Sequence, residues 1–180
     1  MTKHKIYNSE AEVRPAAPNL WSVGNCFDDD TFKWLSQLYL GYDEKWNRNQ
    51  DCLEYRLQLT QDSKSFDLMT QMCKDMTPQI EEIVGRRLDH VGSKAWLDLP
   101  YFHCPYHPDA GLLLVTYQVY LWNYGGHVPG TTFCHVEPEV SIPFVPNTGY
   151  INLNEDLKIH HVNRIEGIRL SCCFQWRAKV

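Results

Sequence analysis

Residues 112–122 read LLLVTYQVYLW. The run is rich in β-branched and aromatic residues and is too short to be a long helix, so it reads as a strand. Side chains alternate along a strand, which puts Thr116, Gln118 and Tyr120 on one side. Working outward, segments of the same kind occupy 96–106, 131–136, 139–144, 149–153, 158–162 and 168–176, with Gly, Pro, Asn or Asp between most of them. Seven or so short strands at this spacing predict a sandwich, jelly roll or barrel.

The front half carries a different signal. Residues 1–28 read as an irregular lead-in with Pro15 and Pro18. Asp28 or Asp29 is placed to cap a helix through Phe32, Leu35, Leu38 and Tyr39. Residues 54–59 alternate like a strand, and Ser63 or Ser65 opens a longer helix. Phe66, Met69, Met72, Cys73 and Met76 share one face of it, continued by Ile80, Ile83 and Val84 despite Pro78. That stripe reads as core packed against a sheet. The expected fold is therefore mainly β with flanking helices (α+β), with two N-terminal helices packed on one sheet. The expected division is a single domain over 1–180, with helical support at about 29–90 and a β core at about 91–180.

The 180 residues and 21.1 kDa suit one domain, and 43% hydrophobic content supplies a core. The formal net charge of −5 and the absence of a long basic run make nucleic acid an unlikely partner. No apolar stretch reaches the roughly 18 residues of a membrane span, and residues 1–8 lack the apolar segment of a signal peptide. The cytosol is the expected compartment. Seven cysteines, with no CxxC pair, read as reduced thiols.

The chemistry lies in a spacing. His107-Pro108-Asp109 sets an imidazole and a carboxylate two residues apart, hence on one side of a strand. His160 follows 53 positions after His107, on a later strand able to fold back beside it. Two His and one carboxylate form the facial set that holds non-haem Fe(II) while leaving open positions. Nine residues after His160 comes Arg169, and Ser171 shares its side of the strand. A guanidinium fork beside a hydroxyl suits a carboxylate. A keto acid has one chelating end for a metal and a far carboxylate for such an anchor.

Taken together, these residues resemble the prolyl 4-hydroxylase-type branch of the Fe(II)/2-oxoglutarate dioxygenases, in particular small bacterial and phage members. Tyr106-His107-Pro108-Asp109 resembles the first iron motif, and residues 115–121 the strand after it. His160-His161-Val162 resembles the distal His-x-Val, and Ile168-Arg169-Leu170-Ser171 the final strand. Gly130-Thr131-Thr132-Phe133 and Pro146-Asn147 are also similar. The resemblance covers roughly 96–176 and implies a double-stranded β-helix (jelly roll). It implies Fe(II) on His107, Asp109 and His160, with 2-oxoglutarate held by Arg169, Ser171 and Tyr120. The implied activity couples decarboxylation of 2-oxoglutarate to succinate and CO2, using O2 and supported by ascorbate, with hydroxylation of a substrate. That substrate is a small molecule, a peptidyl proline or another protein residue. The chain departs from the family in reading Tyr120-Leu121-Trp122 where Tyr-Leu-Asn is usual, and in lacking acidic residues over 124–130.

Alternatives remain at several positions. His161 competes with His160 as distal ligand. His135-Val136-Glu137 is a second H-x-carboxylate triplet, which with His160 would give a cupin-type dioxygenase needing no keto acid. His103 and His127 are candidates for the pocket, against structural or exposed roles. Tyr120 has core packing as its plain alternative, and Arg169 an ion pair, for instance with Glu166. Tyr101, Tyr106, Trp122 and Tyr124 are candidates to wall the entrance. A non-catalytic binding module of the same fold is the rival from another functional class.

Overall fold

The computed structural model describes residues 8–37, 45–48, 55–109, 111–135, 137–155 and 159–180. Among these residues the chain forms strands β1 (Glu12–Ala17) and β2 (Leu20–Gly24), helix α1 (Asp29–Ser36), strands β3 (Trp46–Arg48) and β4 (Arg56–Leu59), and helix α2 (Lys64–Val84). The rest is strand: β5 (Leu88–Asp98), β6 (Cys104–His107), β7 (Val115–Tyr124), β8 (Thr131–Phe133), β9 (Val140–Ile142), β10 (Thr148–Leu153), β11 (His160–Val162) and β12 (Ile168–Ala178).

Two antiparallel sheets result. The larger has the order β1-β2-β10-β7-β12-β5-β4-β3, and the smaller β6-β11-β8-β9. This is the expected double-stranded β-helix with both helices on the larger sheet, α1 against β7 and α2 against β5 and β12. The front of the chain departs from the expectation. Residues 12–24 are a hairpin rather than an irregular lead-in, and β2 pairs with β10 to extend the sheet. Pro15 sits in β1, which forms one edge of that sheet, where a missing N–H costs no ladder bond. The strand expected at 54–59 is present as β4, and the region read as helical support holds in addition β3 and the start of β5.

Alternation sorts the large sheet into two faces. On β7, Val115, Tyr117, Val119 and Leu121 turn toward the helices; on β12, Leu170, Cys172, Phe174 and Trp176 do the same. They meet Met69, Met72, Cys73, Met76, Ile80 and Val84 of α2, the stripe read from the sequence. The opposite face of the same strands carries Thr116, Gln118 and Tyr120, and Arg169, Ser171, Cys173 and Gln175, all buried. A polar face this deeply buried must find partners across the interior, and the small sheet lies over it.

Local signals place the helices. The Asp28 carboxylate caps α1 by accepting from the Thr31 N–H at 2.9 Å. Leu38 and Tyr39, expected on α1, lie outside the described residues. Ser63 is the cap residue of α2, which runs through Pro78 without interruption and stops at Gly85 in the left-handed conformation (φ 66°). The Trp176 Nε1–H donates to Thr77 Oγ1 at 2.9 Å, tying β12 to α2. Asn147, also left-handed (φ 60°), brackets Phe27: its Oδ1 accepts from the Phe27 N–H and its Nδ2 donates to the Phe27 carbonyl. Six cysteines carry free thiols, and Cys52 lies outside the described residues.

Candidate metal centre and carboxylate seat

Strand β6 ends at His107, and Asp109 follows it; β11 begins at His160. The two strands are antiparallel, and His160 stands directly opposite His107, with ring centroids 4.4 Å apart. Asp109 Oδ1 is 3.8 Å from His160 Nε2. The three side chains offer ligand atoms that all lie within 4.8 Å of one another, the one such group among the described residues. Two imidazoles and a carboxylate converging from one side suit Fe(II) and similar divalent ions.

The surroundings orient these donors. His107 Nδ1 lies 2.8 Å from the Pro105 carbonyl oxygen, which only accepts, so Nδ1 carries the proton and Nε2 keeps its lone pair. Asp109 Oδ2 accepts from Thr116 Oγ1 at 2.9 Å and from Asn154 Nδ2 at 3.1 Å. Asn154 is held in turn by Asn152 Nδ2, which donates to its Oδ1. Oδ2 is thereby occupied, and Oδ1 faces His160.

His161 points the other way. Its ring lies 4.4 Å from that of Tyr106, and Cys134 Sγ is 3.3 Å from its Nδ1. His161 and Tyr106 border a groove of about 820 Å³ on the outer face of the small sheet, together with Tyr55, Tyr101, His103 and Arg164. Trp122 and Tyr124 stack on each other instead, with centroids 6.2 Å apart. His127 is exposed, and its N–H donates to Glu166. His135 meets Phe133 edge-on, while Glu137 is exposed, so this second triplet does not converge on a metal site.

His107, Asp109 and His160 line an interior cavity of about 50 Å³ that also takes in Arg169, Thr116, Gln118, Thr131, Tyr150 and Arg56. Arg169 is fully buried. Its Nε–H donates to Asp98 Oδ2 at 2.7 Å, its Nη1 donates to the Pro129 carbonyl at 2.9 Å, and its Nη2 has no partner. The ion pair is thus with Asp98, one rung across on β5, and not with Glu166. Ser171 Oγ accepts from Gln118 Nε2 at 3.4 Å, and Tyr120 exchanges hydrogen bonds with Thr131: its hydroxyl donates to Oγ1 and accepts from the N–H. Ser171 and Tyr120 therefore stand behind the lining residues Gln118 and Thr131.

Known structures show where this architecture occurs. A prolyl-4-hydroxylase from Pseudomonas putida superposes with a TM-score of 0.67 at 15% identity, over 90% of this chain and 94% of that one. An oxidoreductase of the 2OG-Fe(II) oxygenase family from Burkholderia pseudomallei gives 0.62 at 13%, over 93% and 84%. HygX from Streptomyces hygroscopicus, with nickel, 2-oxoglutarate and hygromycin B bound, gives 0.65 at 11%, over 89% and 83%. The fold is that of the 2-oxoglutarate/Fe(II) oxygenases. No protein-family model matches the sequence, and no curated protein sequence matches it.

On this oxygenase fold, the sequence reading missed Arg56, Asp98 and Asn154. Arg56 lies in a four-residue strand with one Arg and no motif around it. Asp98 and Asn154 sit at strand ends, where an acid or amide ordinarily reads as a turn signal. Thr116 had the right parity, but nothing in the sequence paired it with Asp109.

Proposed function

We propose that this chain is an Fe(II)- and 2-oxoglutarate-dependent oxygenase that hydroxylates its substrate. The observation that carries the reading is one cavity lined both by the His107–Asp109–His160 group and by the buried, incompletely partnered Arg169 fork. His107, Asp109 and His160 would hold the metal. Arg169, fixed by Asp98 and Pro129, presents its spare N–H donor to the far carboxylate of the keto acid. Gln118 and Thr131 line the space between, backed by Ser171 and Tyr120. Thr116 and Asn154 hold the Asp109 carboxylate in one orientation, and Val162, clustered with buried Phe102, gives the cavity an apolar side.

Fe(II), when bound, supplies the dioxygen chemistry: 2-oxoglutarate leaves as succinate and CO2, with one oxygen atom in succinate and the other in the hydroxylated substrate. A small-molecule substrate is favoured, since HygX, of the same fold, binds hygromycin B. Free thiols at six positions fit a reducing cytosol.

The test is succinate release from 2-oxoglutarate in the presence of Fe(II), ascorbate and O2, with 2-oxoglutarate binding measured separately by calorimetry. Slow succinate release without added substrate, abolished by His107→Ala, is expected. Binding of neither metal nor keto acid overturns the reading. Binding of both, with no turnover against a substrate panel, assigns the chain to a non-catalytic module.

A further inference from the structure

The seat for the far carboxylate holds two arginines. Arg56 on β4, Asp98 on β5 and Arg169 on β12 stand directly opposite one another on adjacent antiparallel strands, forming one rung of the large sheet. Asp98 lies between the two cations. It accepts from Arg56 Nε at 2.5 Å and Nη2 at 3.0 Å, and from Arg169 Nε at 2.7 Å. Asp98 and Arg169 are fully buried and Arg56 is 8% exposed. The Arg56 guanidinium also lies 4.6 Å from the Trp96 ring centroid and 4.2 Å from that of Phe102, which fixes its plane.

Charge decides what this rung is for. Two guanidiniums against one carboxylate leave one positive charge out of water. Among the described residues, the one acid that lines the cavity is Asp109, which is committed to His160, Thr116 and Asn154. An isolated buried charge is costly unless an opposite charge joins it. Arg56 and Arg169 both line the cavity, and Arg169 Nη2 lacks a partner. One monovalent anion balances the rung and meets that donor.

We propose that Arg56 is a second determinant of keto-acid recognition, sharing with Arg169 the far carboxylate of 2-oxoglutarate. This rests on the oxygenase reading above. Asp98 orients both forks and cancels one charge, so the seat holds one carboxylate and not two. With Arg56 removed, Asp98 and Arg169 form a neutral pair, and the seat loses its charge while the fold keeps a balanced ion pair.

The experiment compares 2-oxoglutarate with 2-oxopentanoate, the same keto acid with a methyl group in place of the far carboxylate. Binding of each to the Mn(II)-loaded protein is measured by calorimetry for wild type, Arg56→Met and Arg56→Lys. Wild type should prefer 2-oxoglutarate, and Arg56→Met should cut that preference by about 10- to 100-fold, the value of a charge-assisted hydrogen bond. The affinity for 2-oxopentanoate should stay the same. Arg56→Lys keeps the charge and loses the fork, so it should restore part of the preference; should Arg56→Met fail to fold, this variant carries the test with a loss of at least about 3-fold. An unchanged preference in the folded variants overturns the role of Arg56 while the oxygenase reading stands. Equal weakening of both acids assigns Arg56 a structural role and also overturns it. A wild-type protein that binds neither acid overturns both.

Discussion

His160 stands opposite His107 across the β6–β11 pair, while His161 turns its ring to Tyr106 on the outer face. Neighbouring strand residues face opposite sides, so only one of the two histidines can join Asp109. His160→Ala is expected to weaken Mn(II) or Fe(II) binding by about 100-fold or more, beyond the 10- to 100-fold typical of an indirect partner. His161→Ala should change it by less than about 3-fold. Metal titration of the two variants decides the matter, and equal losses would sink the assignment.

Asp109 has one oxygen tied to Thr116 and Asn154 and the other facing His160. The tie sets which lone pair is offered and costs the metal no reorganisation. Thr116→Val and Asn154→Ala should each lower metal affinity by about 10- to 100-fold with the thermal midpoint little changed, and Thr116→Ser should recover most of the loss. A midpoint that falls in step with the affinity would mean that the network is simply structural.

Phe174 is fully buried between Phe27 and Tyr117, with ring centroids 6.3 and 6.0 Å away. It belongs to the face of β12 that covers α2, opposite the cavity. Phe174→Ala should cost about 3–5 kcal/mol by leaving a void, read by denaturant unfolding. In the fraction still folded, metal affinity should be retained, because the sheet separates the two faces.

Thiol reactivity gives a quick check on burial. Burial pushes the Cys26 and Cys73 thiols up to about 12, and raises the Cys172 and Cys173 thiols as well. Thiolate is the reactive species. At pH 7.5 these four should resist a disulfide reagent in the native protein and react only on unfolding, whereas partly exposed Cys134 should react first among the described cysteines. Rapid native labelling of Cys172 would contradict the packing of β12.

What the sequence made legible follows from the range of the signal. Period-2 patterning marked the strands of the back half, and the Met stripe marked α2, because each is a local pattern with one buried face. The His107–Asp109 pair was equally local. The β1–β2 hairpin was hidden by Pro15 and Pro18, which suggest irregular chain unless the strand is known to be an edge. Asp98 and Arg56 were hidden for a different reason: their meaning is a register between three strands, and single-sequence patterns do not encode register between distant segments. The same holds for Asn154 with Asp109.

That rung also fixes a pH dependence. Burial pushes the Asp98 carboxyl up, but the Arg56 and Arg169 guanidiniums outweigh it and hold the group below its ordinary value. A carboxylate with a depressed folded pKa adds stability that is present in full above its unfolded pKa, about 3.9, and is lost as the pH falls through the lower folded value. Asp98→Asn leaves two buried cations without their counter-charge and should cost about 3–5 kcal/mol at pH 7. The gap between wild type and variant should stay constant from pH 8 to pH 5 and close only below about pH 3.9, because protonation then removes the same charge from the wild type. Denaturant titrations across that range measure it. A gap that already narrows between pH 8 and pH 6 would show that a group other than Asp98 governs the rung.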